Sequence, residues 1–586
     1  MKYLKNSCWL LALLWKQNKP IYFCFISEIL LNVLLNTIGI AIINYLIQYL
    51  SDSEYQSAFI AVLILCLSTL VLNTLVSFLQ YKKQGYLNSF NVFIKCMLTD
   101  STLSTNFDNF EKCDFREQYQ FATKCVTSGN IQNIINAVCS FVTYILSFIT
   151  LSSIISYVVW WLWIIILSST IINIICEFHR ANINFESEKS QNSVEIKMLY
   201  SRDRLTWKLF AKEVRLFEMF SYVSNQVNKY INLLSKLQDK RANKIFKALW
   251  WTYLFNGILM LAVYLYVSYK CYTGVFELSQ FSTLILSILS INQMASGISG
   301  SILSIKENGL YISTFIDFIN NHKQSDETSR IDKCRFNTIS FEDVSFKYDG
   351  ENNFALKNIS LTLSAGKKYG IVGKNGSGKT TFTNLLMGLY SPTEGVVKVD
   401  GKNISEINPN EYMKYFSPIF QNYNMYAYDV KENISMNACY DISRVCNLLN
   451  KVNFADNDCT QFADKFITKE YSPDGIEFSG GQEQKIAIAR ALYKDAPIFV
   501  LDEPSSALSP KSELELYELV NKQLKDKTTF FVSHRMASCI LCDEILVFDN
   551  GEIVEKGSHS ELMSNNGLYH KMFTSQRKLF SEVRES

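Results

Sequence analysis

Six stretches of roughly 20 or more mostly apolar residues crowd the first 320 or so positions of this 586-residue chain: Ile21 to Leu50, Ala58 to Tyr81, Ile131 to Tyr157, Val158 to Phe178, Leu249 to Tyr269 and Phe281 to Ile305. About 20 apolar residues wound as a helix cross the hydrocarbon of a bilayer. There, every backbone N–H and C=O must pair inside its own segment or a closed barrel. The runs therefore predict an all-α domain of six transmembrane helices. The third and fourth abut, so a tight turn must join them into a hairpin.

Loop charge sets the expected orientation. Lys2, Lys5, Lys16 and Lys19 precede the first span. The connections after the second and fourth, about 50 and 70 residues long, carry Lys82, Lys83, Lys95, Arg180, Lys189, Arg202, Arg204 and Lys208. The loops after the first, third and fifth are short, and the first, SDSEYQS, is acidic. Both termini are expected in the cytosol, in a multi-pass protein of the cytoplasmic membrane. Recurring apolar residues in the two long connections predict helices that continue well beyond the bilayer. The N-terminal twenty residues imitate a signal peptide but lack a small-x-small cleavage site. They read as an amphipathic helix lying against the membrane.

Polar residues interrupt the spans: Glu28, Asn32, Asn36 and Asn44 in the first, Asn73 in the second, Asn292 and Gln293 in the sixth. Such groups need partners or water, so they are expected to face the bundle interior. An intramembrane carboxylate is a functional candidate by default, which makes Glu28 the candidate substrate contact. Interhelical hydrogen bonding is the alternative role for each of these groups.

Past residue 320, Gly, Asp and Lys rise to globular frequencies. The shift divides the chain into a membrane domain, 1–320, a linker, 321–336, and a second domain, 337–586. A net charge of +2, from 57 basic and 55 acidic residues, offers no strong field for nucleic acid. Fifteen cysteines, an odd number without repeating spacing, form no disulfide framework, and the isolated pair Cys539 and Cys542 reads as packing.

The second domain opens on strand patterns, ISFEDVSFKY and ISLTLS. KKYGIV then runs as a buried strand into Gly373, Lys374, Asn375, Gly376, Ser377, Gly378, Lys379 and Thr380, with Thr381 next. This is G-x-x-x-x-G-K-[ST] between a strand and a helix, a phosphate-binding loop of an α/β NTPase. Glycines let the backbone N–H groups turn toward phosphate, Lys379 brings a point charge and the Thr380 hydroxyl suits magnesium. A second apolar strand, APIFVLDEP, ends in Asp502, placed for magnesium, and Glu503, placed to polarise water. A second anion-binding helix start follows from FSGGQ, Phe478 to Gln482, before EQKIAIARALYK.

Two phosphate-binding elements on one chain, in this order, resemble the ABC ATPase family, and a membrane domain ahead of them resembles its exporter half-transporters. The resemblance implies ATP and Mg2+ as cofactors and a second subunit, expected to be another copy of this chain. Ser479, Gly480, Gly481 and Gln482 would close over the nucleotide held by that partner. Tyr348 would stack on adenine. Gln421 would sense magnesium and the attacking water, Asp502 would bind the metal, Glu503 would be the catalytic base and His534 would contact the γ-phosphate. Two positions depart from the family pattern. Ser509 stands where an Asp is usual, and Pro473 replaces a coupling glutamate, with Asp474 beside it as a substitute. Short helices that dock on the ATPase are expected near Phe107 to Phe115 and Trp207 to Met219.

Six spans exclude a soluble ATPase acting on DNA or ribosomes, and intact catalytic residues disfavour an ATP-gated channel. The overall pattern is similar to bacterial exporters of lantibiotics and related peptides, without room for a peptidase domain ahead of the spans. A peptide is thus the expected substrate. Lipid or drug efflux, or import on the exporter fold, are the alternatives.

Overall fold

The computed structural model describes residues 2–155, 162–203, 207–275, 278–322, 336–454, 459–502, 522–524, 526–533 and 536–585. The chain divides into two compact units, Met1–Thr105 with Cys113–Gln324, and Asn106–Lys112 with Ser325–Ser586.

The first unit is helical: α1 (Lys2–Gln17), α2 (Pro20–Ser51), α3 (Tyr55–Leu103), α4 (Cys113–Thr127), α5 (Asn130–Ile155), α6 (Leu162–Arg202), α7 (Lys208–Leu216), α8 (Phe220–Tyr272) and α9 (Leu278–His322). Pro20 opens α2, where its missing N–H costs nothing. Among the described residues, five helices are long and apolar enough to cross a membrane: α2, α3, α5, α8 and α9. The fourth expected span starts outside the described residues, as does the turn of the expected hairpin; its remainder begins α6. The 49 residues of α3 and 53 of α8 far exceed one bilayer crossing, so the expected helical extensions exist. Along α3, Phe59, Leu67 and Leu70 remain more than 60% exposed, a surface suited to hydrocarbon.

Helix α1 departs from expectation. It does not simply lie on lipid: Leu10 and Leu14 are buried in a cluster with Phe90, Ile94, Tyr311 and Phe315, and Asn6 Nδ2 donates to the Gly309 carbonyl at 3.2 Å. Apolar residues at helical spacing can meet protein as well as a membrane, and α9 supplies the protein. Asn73 also departs, being exposed on the unit's surface rather than turned inward. Asn36 behaves as expected, donating from Nδ2 to Ser147 Oγ at 3.1 Å.

Glu28 and Lys83 are each 8% exposed, and Lys83 Nζ lies 2.7 Å from Glu28 Oε2. Gln80 Nε2 donates to the other carboxylate oxygen at 3.1 Å. The pair ties α2 to α3 and satisfies a charge that would otherwise be costly. Lower on the same unit, Lys124 bridges α4 to Glu188 (3.1 Å) and Glu195 (2.9 Å) of α6. The Glu188 carboxyl sits in partial burial, which opposes ionisation. Donation from Tyr311 and Lys124 outweighs that cost and holds its pKa below the usual value.

Among the described residues, the second unit holds two sheets. An antiparallel one has the order β2-β1-β4-β5, from β1 (Thr338–Phe346), β2 (Leu356–Ser364), β4 (Glu394–Val399) and β5 (Lys402–Asn403). The other has the order β10-β9-β3-β8-β7-β6, from β3 (Lys368–Gly373), β6 (Phe416–Ile419), β7 (Ile498–Asp502), β8 (Thr528–Val532), β9 (Glu544–Asp549) and β10 (Glu552–Gly557). β9, β3, β8, β7 and β6 run parallel, and every residue of β7 and β8 is buried, as strands covered on both faces require.

Removing one partner of a buried pair leaves an uncompensated charge, at a cost of about 3–5 kcal/mol. Lys83→Met is therefore expected to lower the thermal midpoint of the purified protein, and the double change Glu28→Gln with Lys83→Met to recover much of the loss. Equal midpoints for parent and Lys83→Met would remove the pair from this account.

Candidate nucleotide-binding site

In a parallel sheet the carboxyl ends of the strands share one edge, and ligands of α/β folds bind there. Register decides what that edge carries. Ile371 of β3 pairs with Val532 of β8, and Val532 with Asp502 of β7. Asp502 therefore ends its strand two strands from β3, close to the level at which Gly373 begins the phosphate loop. Ile419 of β6 pairs with Leu501, so Gln421, exposed two residues further on, follows the next strand end. Asp502 itself is 8% exposed.

The loop turns into helix α10 (Lys379–Leu386) through Gly378, whose φ of +103° lies in left-handed space. A Cβ at Gly378 would come within 2.7 Å of Leu356 Cδ2 and 2.9 Å of the Ala355 carbonyl, so only glycine fits. No side chain caps α10. Its first N–H groups have no partner within the helix and present positive dipoles. Lys379 is buried beneath the loop, and its Nζ donates to the Gly373 and Lys374 carbonyls at 2.9 Å each. Ser377 Oγ is buried without a hydrogen-bond partner. An uncapped helix start, a tethered ammonium and an unsatisfied hydroxyl suit a phosphate chain. Lys374, Asn375, Gly376 and Thr380 are exposed around them.

Tyr348 stands at the far side of this loop. Its hydroxyl bonds Thr381 Oγ1 at 2.9 Å, and its ring meets Phe346 (5.2 Å) and Tyr390 (5.8 Å) edge-on. Tyr390, which the sequence did not single out, joins two segments. Its hydroxyl donates to Glu111 Oε1 at 2.8 Å, and Phe107 packs 5.9 Å from its ring. Burial, then the bond to Glu111, keeps its phenol protonated far above the ordinary range. Phe107–Glu111 forms a short 3-10 helix that groups with the second unit, near the first expected docking segment.

The second anion element begins helix α15 (Gly480–Lys494; α11 to α14 are Pro409–Met413, Val430–Ser435, Ile442–Lys451 and Cys459–Ala463). Ser479 caps it: Ser479 Oγ accepts from the Gln482 N–H, and Gln482 Oε1 accepts from the Ser479 N–H at 3.0 Å. Ser479 and Gly480 are exposed, and a Cβ at Gly480 or Gly481 would meet nothing within 4 Å. This helix start is thus open to a partner's approach. Glu503, Ser509 and His534 lie outside the described residues. Pro473 and Asp474 are both exposed in the turn ahead of Ser479. Cys539 and Cys542 are buried, and burial raises the Cys542 thiol well above its usual pKa, so neither is poised for redox chemistry.

A phosphate loop at a sheet edge, a second helix start for phosphate and a membrane-crossing helical unit define an ATP-driven membrane transporter. The ABC transporter family description matches residues 356–506. The subtilin transport ATP-binding protein SpaT of Bacillus subtilis is 30% identical over 82% of this chain and 79% of its own length. The nisin transport ATP-binding protein NisT of Lactococcus lactis subsp. lactis is 27% identical over 95% of this chain and 91% of its own. An ATP-dependent lipid A-core flippase of Idiomarina loihiensis is 35% identical over 43% of each. A solved bacterial Atm1-family ABC exporter with ATP bound shares the fold, with a TM-score of 0.79 at 18% identity, over 95% of this chain and 99% of that one. The chain belongs to the ABC transporter family, with the architecture of an exporter half-transporter that hydrolyses ATP.

Gly378→Ala forces a side chain into backbone space and is expected to weaken nucleotide binding about tenfold or more, or at least 1.4 kcal/mol. Gly480→Ala in the same assay, equilibrium binding of a fluorescent ATP analogue to the isolated subunit, is expected to bind as the parent does. Parental affinity for Gly378→Ala would contradict the loop geometry.

Proposed function

We propose that two copies of this chain form an exporter that carries a polar peptide from the cytosol across the cytoplasmic membrane, with both termini in the cytosol. The observation that carries this reading is a cavity of about 540 Å3 inside the helical unit. It lies between α2, α3, α5 and α9, and its wall includes Glu28, Asn32, Asn36, Gln80, Lys83 and Asn136. Asn136 Oδ1 is buried there without a partner. Carboxamides pair with peptide groups, whereas a lipid tail prefers unbroken apolar surface. Since Lys83 already neutralises Glu28, the cavity favours a polar rather than a cationic segment, with Glu28 in its wall. SpaT and NisT, similar along most of their length, are named for peptide transport and support the same choice.

The resemblance supplies the chemistry. ATP sits on Gly373 to Thr381 with its base on Tyr348. Thr380, Asp502 and Gln421 would hold magnesium, which would supply charge neutralisation at the phosphates; Glu503 would take the proton of the attacking water and His534 would contact the γ-phosphate. The partner's Ser479 to Gln482 segment completes the site. Trp207, Leu216, Phe217 and Phe220, at the two ends of α7, are 55–82% exposed on a single chain, an apolar surface that a second copy would cover. Binding energy released as two ATPase units close would turn the helices outward, and hydrolysis would reset them.

Inverted vesicles given ATP and a polar peptide should accumulate the peptide, and Glu28→Gln should reduce both uptake and peptide-stimulated ATPase. Accumulation of phospholipid without peptide would defeat the reading. Glu503→Gln should keep ATP bound while phosphate release falls by about 10²–10⁴, the usual weight of a general base. A parental rate would remove Glu503 from that role.

A further inference from the structure

Helix α8 carries an unusual charge distribution. Between Phe220 and Tyr272 its acidic content is Asp239 alone, against Lys229, Lys236, Lys240, Arg241, Lys244, Lys247 and Lys270. At 100° per residue, Lys229, Lys236, Lys240 and Lys247 project within about 20° of one line, with Lys244 about 60° to the side. All five are exposed, and among the described residues none forms an ion pair. Asn225, Asn232 and Asn243 flank them on the same face, about 40–60° away at that spacing. Arg241 shows what a structural base on this helix does instead: it turns inward and donates from Nε to Asn184 Oδ1 of α6 at 2.9 Å. A merely solvated helix face mixes both signs in i, i+4 pairs. This one does not.

We propose that the outward face of α8 from Lys229 to Lys247 is a docking strip for an extended, acidic segment of polypeptide. The proposal rests on the export reading above, in which this part of α8 stands on the cytosolic side below the hydrocarbon. The strip is about 27 Å long at 1.5 Å per residue, the reach of about eight extended residues. It runs along the helix axis, so an anionic lipid surface would touch one end while a linear polyanion meets all of it. The intervening asparagines offer hydrogen bonds to main-chain amides. Single-stranded nucleic acid would call for stacking aromatics, and between Lys229 and Lys247 none projects within about 60° of the lysine line; Tyr222 and Trp251 lie beyond its two ends. The strip thus adds a demand on the cargo: a stretch rich in Asp or Glu, held by charge before the polar cavity receives another part of the chain.

The test uses the full-length protein in phosphatidylcholine nanodiscs and a fluorescein-labelled peptide of four Glu-Ser repeats, read by anisotropy. The peptide should bind, and binding should weaken as salt rises, since exposed charges are screened beyond about 8–10 Å. Changing Lys229, Lys236, Lys240 and Lys247 together to Gln should weaken it at least tenfold, while the same four changed to Arg should bind as the parent does. Basal ATPase should be parental in both, which shows that they are folded. Parental affinity in the Gln variant, or equal binding of a Lys-Ser repeat or tighter binding of oligothymidylate by the parent, would overturn the strip. Docking without peptide uptake in inverted vesicles would sink the export reading and leave the strip standing. Uptake without docking would do the reverse.

Discussion

The parallel register of β3, β8 and β7 is the constraint on which the ATP-handling half depends. The row Ile371, Val532, Asp502 brings the start of the phosphate loop and the end of the acidic strand to one edge of one sheet. Side chains alternate along a strand, so a slip of one residue between β8 and β7 would turn Asp502 to the other face and bury a carboxylate among apolar neighbours. The register is fixed from both sides of the sheet. Tyr369 and Ile371 pack into one cluster with Phe382 and Phe530, and Val372 packs into another with Phe499 and Leu501. The energy that holds the site in shape comes from apolar burial on both faces of strands that do no chemistry.

The helical half follows a different economy of interactions. Apolar length sets which segments cross the bilayer, but polar contacts decide how the helices meet. Glu28 with Lys83 and Gln80 joins α2 to α3, Asn36 with Ser147 joins α2 to α5, and Asn256 with Asn173 joins α8 to α6. Each such contact leaves few alternatives for a group that would otherwise be unsatisfied in hydrocarbon. Of these residues Glu28, Asn36, Gln80 and Lys83 also line the polar cavity, so groups that specify how α2 meets its neighbours are also within reach of a cargo.

Much of this was legible in the sequence, because its signals are local. Apolar run length gave the spans, recurring apolar residues gave the helical extensions of α3 and α8, and glycines ahead of Lys379 gave the phosphate loop. What was not legible depends on residues far apart. Nothing near Tyr390 announces that it will meet Glu111, 279 positions earlier. Glu28 read as an isolated acid because Lys83, its partner 55 positions on, falls just beyond the expected end of the second span. The amphipathic pattern of α1 marked a face to be covered, yet said nothing of whether lipid or α9 would cover it. Asn73 read as inward by the rule for polar residues in membranes, and the packing of a single chain leaves it on the surface.

The central claim is that a working ATP site combines the phosphate loop of one copy with the Ser479 to Gln482 helix start of another. The exposure of Ser479 and Gly480, with open space around both glycines, is what this arrangement needs. The direct measurement is ATP hydrolysis by a mixed dimer, isolated through two different tags, of a Lys379→Ala chain and a Ser479→Arg chain. Each variant alone is expected to be silent. If sites are shared between copies, the mixed dimer holds one site in which an intact loop faces an intact helix start, and hydrolysis returns. A mixed dimer as silent as either variant alone would contradict the account.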